Sequence, residues 1–126
     1  MSFTNAFETT ILNWGFTADS ATRPTSWYVA LYTVAPNDTG GGTELSGNAY
    51  VREASTFSVT GDTASNTGAI EWAAATGSWG TVVAIGVFDA VSAGNLLAYG
   101  NLTSSKTIQT GDIFRIPAGD LDITLD

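Results

Sequence analysis

The segment Thr81–Phe88 reads TVVAIGVF and places apolar residues on both faces of an extended chain. A strand with one wetted face alternates apolar and polar residues instead. Apolar residues on both faces are typical of a strand in the middle of a sheet, or of one whose outer face a partner covers. We therefore predict that this segment forms the centre of the main sheet.

Short runs rich in Val, Ile, Thr, Phe, Tyr and Trp flank this segment, alternate with a period of two and are separated by Gly, Asn, Asp and Ser. This pattern predicts strands joined by turns. The predicted strands are Ser26–Val34, Tyr50–Val59, Ala69–Ala73, Val82–Ala90, Leu96–Leu102, Ile113–Pro117 and Leu121–Leu125. About seven strands at this spacing predict an all-β, single-domain antiparallel β-sandwich over residues 26–126.

The first fifteen residues have a different period. Four apolar residues recur at spacings of four, four and three, which places them on one stripe of a helix. The stripe consists of Phe3, Phe7, Ile11 and Trp14. We predict a short N-terminal α-helix over residues 1–15, with Ser2 as N-cap and Gly15 as its C-terminal stop. The stripe packs either on the protein's own sheet or on a neighbouring subunit, so these four residues are the candidate interface.

The 126 residues include four basic and twelve acidic side chains, for a formal net charge of -8. Nucleic-acid binding normally needs a patch of Lys and Arg, and anionic lipid attracts the same residues. The chain also has no run of apolar residues long enough to cross a bilayer and no secretory leader pattern. We expect a soluble protein made in the cytoplasm, with neither nucleic acid nor membrane as a partner.

Histidine and cysteine are absent from the sequence, which excludes Ser-His-Asp and Cys-His nucleophiles, His/Cys zinc sites and thiol redox chemistry. The acidic residues Glu44, Glu53, Glu71 and Asp89 are scattered, so a carboxylate-only glycosidase has no spacing in its favour. We expect no enzymatic activity and no cofactor.

Two kinds of binding stay open at this stage. Asp120, Asp122 and Asp126 cluster near the C-terminus and could offer oxygen ligands to calcium, but no known calcium-loop spacing is present. Four tryptophans could stack on sugars, although those in predicted strands are typical core or interface residues. These are Trp14, Trp27, Trp72 and Trp79.

Five segments, in this order and spacing, resemble a family of small tailed-bacteriophage virion proteins labelled tail-fibre-like or head-decoration proteins. The segments are Pro24–Thr33 (PTSWYVALYT), Gly42–Glu53 (GTELSGNAYVRE), Ala64–Trp72 (ASNTGAIEW), Trp79–Asp89 (WGTVVAIGVFD) and Gly94–Leu102 (GNLLAYGNL). The resemblance implies a β-sandwich virion component that works as a homo-oligomer. It supplies no catalytic motif.

Two placements on the particle are compatible with the resemblance. A capsid decoration (cement) protein would bind the major capsid protein of the expanded head shell as a homotrimer, lie on the capsid surface and stabilise the shell. A tail or fibre-tip component would contact host surface carbohydrate. The small size and the lack of a fibrous repeat favour decoration. For decoration we expect contacts from the helix stripe and from two long loops, Asn37–Gly47 and Thr60–Gly68.

Overall fold

The computed structural model describes residues 1–125, and within that range the chain forms eleven strands and one helix. The elements are β1 (Ser2–Phe3), α1 (Asn5–Phe16), β2 (Trp27–Val34), β3 (Thr43–Glu44), β4 (Glu53–Ser55), β5 (Phe57–Thr60), β6 (Thr63–Asn66), β7 (Ile70–Glu71), β8 (Gly80–Phe88), β9 (Leu96–Ile108), β10 (Arg115–Ile116) and β11 (Asp122–Thr124). All pairings between strands are antiparallel. The predicted class, all-β and sandwich-like with an N-terminal helix, is confirmed.

The main sheet has the strand order β1-β9-β8-β2-β3, and β4 also pairs with β2. Strand β8 contains most of the segment TVVAIGVF and lies between β9 and β2, so its predicted central position is confirmed. Its pairing with β2 runs from Tyr28↔Phe88 to Tyr32↔Ala84 without a register shift. The pairing with β9 is irregular, and β9 continues to Ile108, six residues beyond its predicted end.

The two faces of the β2–β8 pair enter two separate apolar clusters, because successive side chains of a strand point to opposite faces. On the inner face, Val29 and Leu31 join Ile85 and Val87 in the large core. On the outer face, Ala30, Tyr32, Ala84 and Phe88 form a smaller cluster. Both faces of the central strand are thus covered within this chain.

A second layer made of two small sheets covers the inner face. One sheet has the order β11-β6-β5 and the other pairs β10 with β7. Trp72, which follows β7, is 1% exposed and meets the Phe114 ring edge-on, with 5.4 Å between the ring centroids. The sandwich therefore has one wide sheet and one divided layer.

The structure corrects two predictions about strands. The segment Tyr50–Val59 is not one strand, because β4 pairs with β2 in the main sheet whereas β5 pairs with β6 in the second layer. The stretch Thr60–Gly68 is not a loop, because β6 within it pairs with both β5 and β11. A two-residue turn at Gly61-Asp62 joins β5 and β6 into a hairpin, and Gly61 has a φ of 63°.

Asn66 explains how a polar segment holds the second layer together. Its side chain is 2% exposed and donates to the carbonyls of Gly68 (2.8 Å) and Pro117 (3.0 Å). Its amide oxygen accepts from the Leu121 backbone N–H at 2.9 Å. Strand β6 is held in place by such hydrogen bonds and shows no alternation of apolar and polar residues. A hydrophobicity pattern therefore does not predict it.

The start of the helix is also corrected. Ser2 is not the N-cap, because Ser2 and Phe3 pair with Tyr99 and Ala98 as strand β1. Thr4 is the N-cap, and the helix runs through Gly15 to Phe16. With twelve residues it is too short to cross a bilayer, and no other helix occurs in residues 1–125.

Arg52, whose side chain is 9% exposed, covers part of the outer face of the main sheet. The Arg52 guanidinium donates to both carboxylate oxygens of Glu44, at 2.8 and 2.9 Å, and to the carbonyls of Ala90 (3.0 Å) and Ala93 (2.7 Å). It also lies 3.5 Å from the centroid of the Phe88 ring, in the geometry of a cation–π contact. One side chain thereby links two loops to the sheet.

Tyr50 extends this network into the backbone of β2. Its hydroxyl donates to Glu44 at 2.7 Å and accepts from the Leu31 N–H at 3.0 Å. Burial raises the pKa of Tyr50, so the phenol stays protonated at neutral pH. Glu44 therefore has three hydrogen bonds from two side chains, which compensate for its partial removal from water.

We predict that Arg52→Met lowers the free energy of unfolding by about 2–4 kcal/mol, because it leaves Glu44 without its charged partner in a partly buried site. Arg115→Met is the matched control, since the Arg115–Glu71 pair spans 3.7 Å and both side chains are more than half exposed. That control should cost less than about 1 kcal/mol. Urea denaturation of both variants measures the difference, and equal losses would contradict the role given to Arg52.

We also predict that Gly42→Ala destabilises the fold far more than Gly40→Ala. Both glycines have positive φ, 70° and 97°, so each substitution carries the strain of a left-handed residue, about 1–2 kcal/mol. Only at Gly42 would the new Cβ lie 2.5 Å from a backbone atom, the carbonyl oxygen of Val34. Thermal unfolding should show the larger loss for Gly42→Ala. Similar losses would mean that the loop moves away from β2 without cost.

Candidate assembly surface

Helix α1 is attached to the sheet through its first turn. The Thr4 N–H donates to the Leu97 carbonyl at 3.0 Å, and the Thr4 hydroxyl donates to the Leu96 carbonyl at 2.7 Å. The same hydroxyl oxygen accepts from the Phe7 N–H, and the Asn5 N–H donates to the Asp38 carbonyl at 2.9 Å. The first turn is thus fixed to β9 and to the loop before β3.

The rest of the helix is partly or fully exposed to solvent. No residue of α1 is buried, and Leu12, Trp14 and Phe16 are 57%, 71% and 85% exposed. Large apolar side chains at such exposure are unfavourable in water, and several of them together mark an interaction surface on a soluble domain. Phe7, Ile11 and Trp14 share one side of α1, whereas Leu12 and Phe16 lie on the other side. We call these five residues together the helix surface.

The structure divides the predicted interface residues between two places. Phe7, Ile11 and Trp14 lie on α1 and line a hollow of about 180 Å³ against the segment 21–24, which returns beside the helix. Phe3 lies on β1 instead, and its ring meets the Phe7 ring edge-on, with 5.3 Å between centroids. Phe7 therefore joins all four residues into one continuous apolar region.

A second apolar groove continues from Phe3 and Phe7 to the edge where the two layers meet. Its volume is about 280 Å³, and Trp27 and Val87 of the main sheet face Phe57, Val59 and Ile123 of the second layer across it. No charged side chain lines it. Ala64 belongs to the predicted contact loop Thr60–Gly68, so this segment borders the same apolar region as the helix.

The other predicted contact loop, Asn37–Gly47, lies beside the first turn of the helix. It is closed on itself by backbone hydrogen bonds between Asn37 and Gly40, at 2.8 and 2.9 Å. The Tyr99 hydroxyl donates to the Asp38 carboxylate and holds the loop against β9. The fold therefore brings both predicted contact regions close to α1, although on different sides of it.

Charge around this region is low compared with the chain as a whole. Two of the four basic residues are paired, Arg52 with Glu44 and Arg115 with Glu71. Arg23 borders the helix hollow and forms no ion pair with the residues that the structure describes. The apolar region can therefore approach a partner without burying an acidic side chain, which matters for a chain of net charge -8.

Of the carboxylates considered for catalysis, Glu44, Glu71 and Asp89 have structural contacts. Glu44 binds Arg52 and Tyr50, as described above. Burial opposes ionisation of Asp89, but hydrogen bonds from the backbone and side chain of Asn95 lower its pKa overall. Burial raises the pKa of Glu53. Nothing in these contacts directs two carboxylates at a common substrate position.

Among the other predicted binding residues, Trp72, Trp79 and Asp122 have structural roles. Trp72 and Trp79 are 1% and 5% exposed, and the Trp79 indole donates to the Asn48 carbonyl at 2.9 Å, so neither offers a stacking face. Asp122 accepts from the Ser65 hydroxyl. Within residues 1–125, no group of three or more potential ligands could hold a metal ion, and Asp126 lies outside the described residues.

A β-sandwich that leaves large apolar side chains of a helix open has the architecture of a subunit in a larger assembly. Residues 2–124 match the family model described as Podophage GP4 fiber I protein gp80. The chain belongs to this family, and it is a structural protein of a tailed-phage virion. The resemblance found in the sequence is confirmed. Among curated proteins, none matches the chain.

We predict that Thr4→Val loosens the attachment of the helix. The substitution keeps the shape of the side chain but removes the hydroxyl that caps α1 and binds Leu96, which should cost about 1–2 kcal/mol. Thr10→Val is the control, because the Thr10 hydroxyl only donates to the Ala6 carbonyl within the helix. Hydrogen exchange of the α1 amides should accelerate in Thr4→Val alone. Equal rates in the two variants would contradict this anchoring role.

Proposed function

We propose that this protein is a structural subunit of the phage fibre and that the helix surface attaches it to a neighbouring virion subunit. The observation that carries the proposal is a helix with no buried residue and with Trp14 and Phe16 more than two-thirds exposed. The assignment to the fibre, as opposed to another part of the virion, is supported by the description of the family.

The energetics of the helix support an external partner. A helix of twelve residues is marginal in water, so tertiary or quaternary packing normally stabilises it. Here the hydrogen bonds that tie the helix to the sheet all lie in the first turn, and beyond it only Thr10, Ile11 and Asn13 are partly covered. Burying an exposed Trp or Phe side chain contributes about 1.5–3 kcal/mol, so two such residues with their apolar neighbours would supply a substantial part of an interface.

Capsid decoration is the second candidate, and it uses the same surface. In that case the partner would be the major capsid protein of the expanded shell, and a homotrimer would gain from several attachment points. The small size of the chain and its lack of a fibrous repeat favour this placement. The description of the family favours the fibre, and we rank the fibre first for that reason.

We further propose a role without enzymatic activity and without nucleic acid as a direct partner. The carboxylates Glu44 and Asp89 are committed to internal hydrogen bonds. Two of the four basic side chains are committed to ion pairs. In this role the protein stabilises the particle only through the free energy of its interfaces with neighbouring subunits.

We predict that Trp14→Ser with Phe16→Ser abolishes incorporation into virions while the isolated protein keeps its unfolding temperature within a few degrees. The reason is that both side chains are exposed in the isolated protein, so their loss removes interface contacts and leaves the core intact. Val91→Ser is the matched control, since Val91 is also apolar and 55% exposed but lies outside the helix surface. Immunoblots of purified particles give the readout.

Cryo-electron microscopy of the virion then separates the two placements. Density of this fold in the fibre supports the first candidate, and density at the local threefold positions of the capsid supports the second. If the doubly substituted protein assembles as well as the control does, the helix surface is not the attachment site in either placement.

A further inference from the structure

The hollow of about 180 Å³ between α1 and the segment 21–24 is apolar except at one charged side chain, Arg23. Its wall on the helix side consists mainly of Phe7, Ile11 and Trp14. Trp14 is 71% exposed, so the hollow opens to solvent. An apolar cavity of about 150 Å³ in a protein holds one benzene molecule. This hollow therefore has room for one large apolar side chain.

Arg23 has no counterion in the part of the chain that the structure describes. Arg52 binds Glu44 and Arg115 lies near Glu71, whereas the side chains of Arg23 and Lys106 make no ion pair with residues 1–125. Asp19 stands only four residues before Arg23, yet the two do not pair. The cation that borders the helix surface is thus available to a carboxylate from outside the chain.

The backbone around Arg23 is restricted before any partner binds. The residue before a proline is confined to extended conformations, and Pro24 follows Arg23. Two residues further on, the Ser26 hydroxyl donates to the Asp89 carbonyl at 3.3 Å and ties the end of the segment to the main sheet. Restriction of this kind lowers the entropy cost of fixing the side chain in an interface.

Attachment through the helix surface would change the surroundings of Arg23. Arg23 and Trp14 line the same hollow, so a partner that covers Trp14 also removes water from the guanidinium. A charge that loses its water without gaining a partner carries a large desolvation cost. A carboxylate offsets this cost best, because it accepts two parallel hydrogen bonds from a guanidinium. The partner therefore needs an acidic group beside its apolar one.

We propose that this hollow receives a large apolar side chain of another virion subunit and that a carboxylate beside that side chain pairs with Arg23. The inference rests on the proposed function and adds the chemistry of the partner to it. The formal net charge of -8 taken alone favours a basic partner instead. At the hollow the nearby charge decides, because salt screens exposed charges that are more than about 8 Å apart.

A second copy of this chain fits the hollow less well than a different subunit. A two-fold interface brings the same patch of both copies together. That patch has Arg23 as its only basic residue, whereas two exposed acidic residues, Glu8 and Asp19, lie next to it in the sequence. Two copies would therefore bring together four carboxylates and two guanidinium groups. A different subunit can supply a single carboxylate.

The first test compares Arg23→Gln with Lys106→Gln, each produced together with the unmodified chain during phage growth. Both variants lose one positive charge, but Lys106 lies on β9, exposed and outside the hollow. Mass spectrometry of purified particles measures the ratio of variant to unmodified chain. Arg23→Gln should be depleted about tenfold or more, as expected for a close charge pair at an interface. Lys106→Gln should show no depletion, and both variants should keep the unfolding temperature of the isolated protein.

The second test identifies the carboxylate. Arg23→Lys keeps the positive charge and introduces an amine, which a carbodiimide couples to a neighbouring carboxylate as an amide while the carbodiimide takes up the water. Purified virions that carry Arg23→Lys together with Lys106→Gln are treated, and mass spectrometry identifies the linked peptides. Virions with Lys106→Gln alone are the control, because Lys106 is the only lysine of the chain. The link should join position 23 to an Asp or Glu of a different virion protein.

Three outcomes would overturn the inference: incorporation of Arg23→Gln equal to that of Lys106→Gln, no link at position 23, or a link to a second copy of this chain. The variant with Trp14→Ser and Phe16→Ser separates these outcomes from the proposed function. If that variant is excluded from particles while Arg23→Gln is incorporated, attachment through the helix surface stands and only the partner chemistry is wrong. If the serine variant is incorporated fully, the attachment is wrong and this inference fails with it.

Discussion

The pairing of β2 with β8 is the constraint on which the rest of the structure depends. Five consecutive residue pairs, from Tyr28↔Phe88 to Tyr32↔Ala84, run without a bulge. A slip by one residue would exchange the faces of one strand and move Val87 and Ile85 away from Val29 and Leu31. Because both faces of the β2–β8 pair are apolar, this one register determines which side chains enter each of the two apolar clusters.

Each face of this pair is then covered in a different way. The divided second layer covers the inner face with apolar side chains, Trp72 and Phe114 among them. A polar network centred on Arg52 covers part of the outer face and joins two loops to it. The remaining part of the outer face leaves a hollow of about 500 Å³ beside Tyr32 and Phe88, and α1 belongs to neither core.

Part of the candidate interface could be predicted from the sequence, because a helical period acts over a few residues. The spacing correctly placed Phe7, Ile11 and Trp14 on one side of a helix. It wrongly extended the helix to Phe3, because the free edge of β9, nearly a hundred residues away, pairs with Ser2 and Phe3. The spacing of the apolar residues also does not show whether the rest of the fold covers them.

Other features of the structure correspond to no recognisable pattern in the sequence. Glu44 and Arg52 are eight residues apart in an irregular segment, and only the fold brings them to the same side of the sheet with Phe88. Tyr32 looks like any other alternating strand residue, and only the fold shows that its ring packs with Phe88 on the outer face of the sheet. Asn66 likewise gave no sign that a polar stretch would form the central strand of the small three-stranded sheet.

The sequence by itself determined the all-β class, the central position of TVVAIGVF, the presence of an N-terminal helix and the exclusion of histidine and cysteine chemistry. These are properties of composition and short-range period, which the chain carries before it folds. Only the tertiary structure decided where the helix begins, that its apolar side chains remain open, and that a hollow forms around Tyr32. Those features depend on contacts between residues far apart in the chain, because burial is a property of what the rest of the fold leaves uncovered.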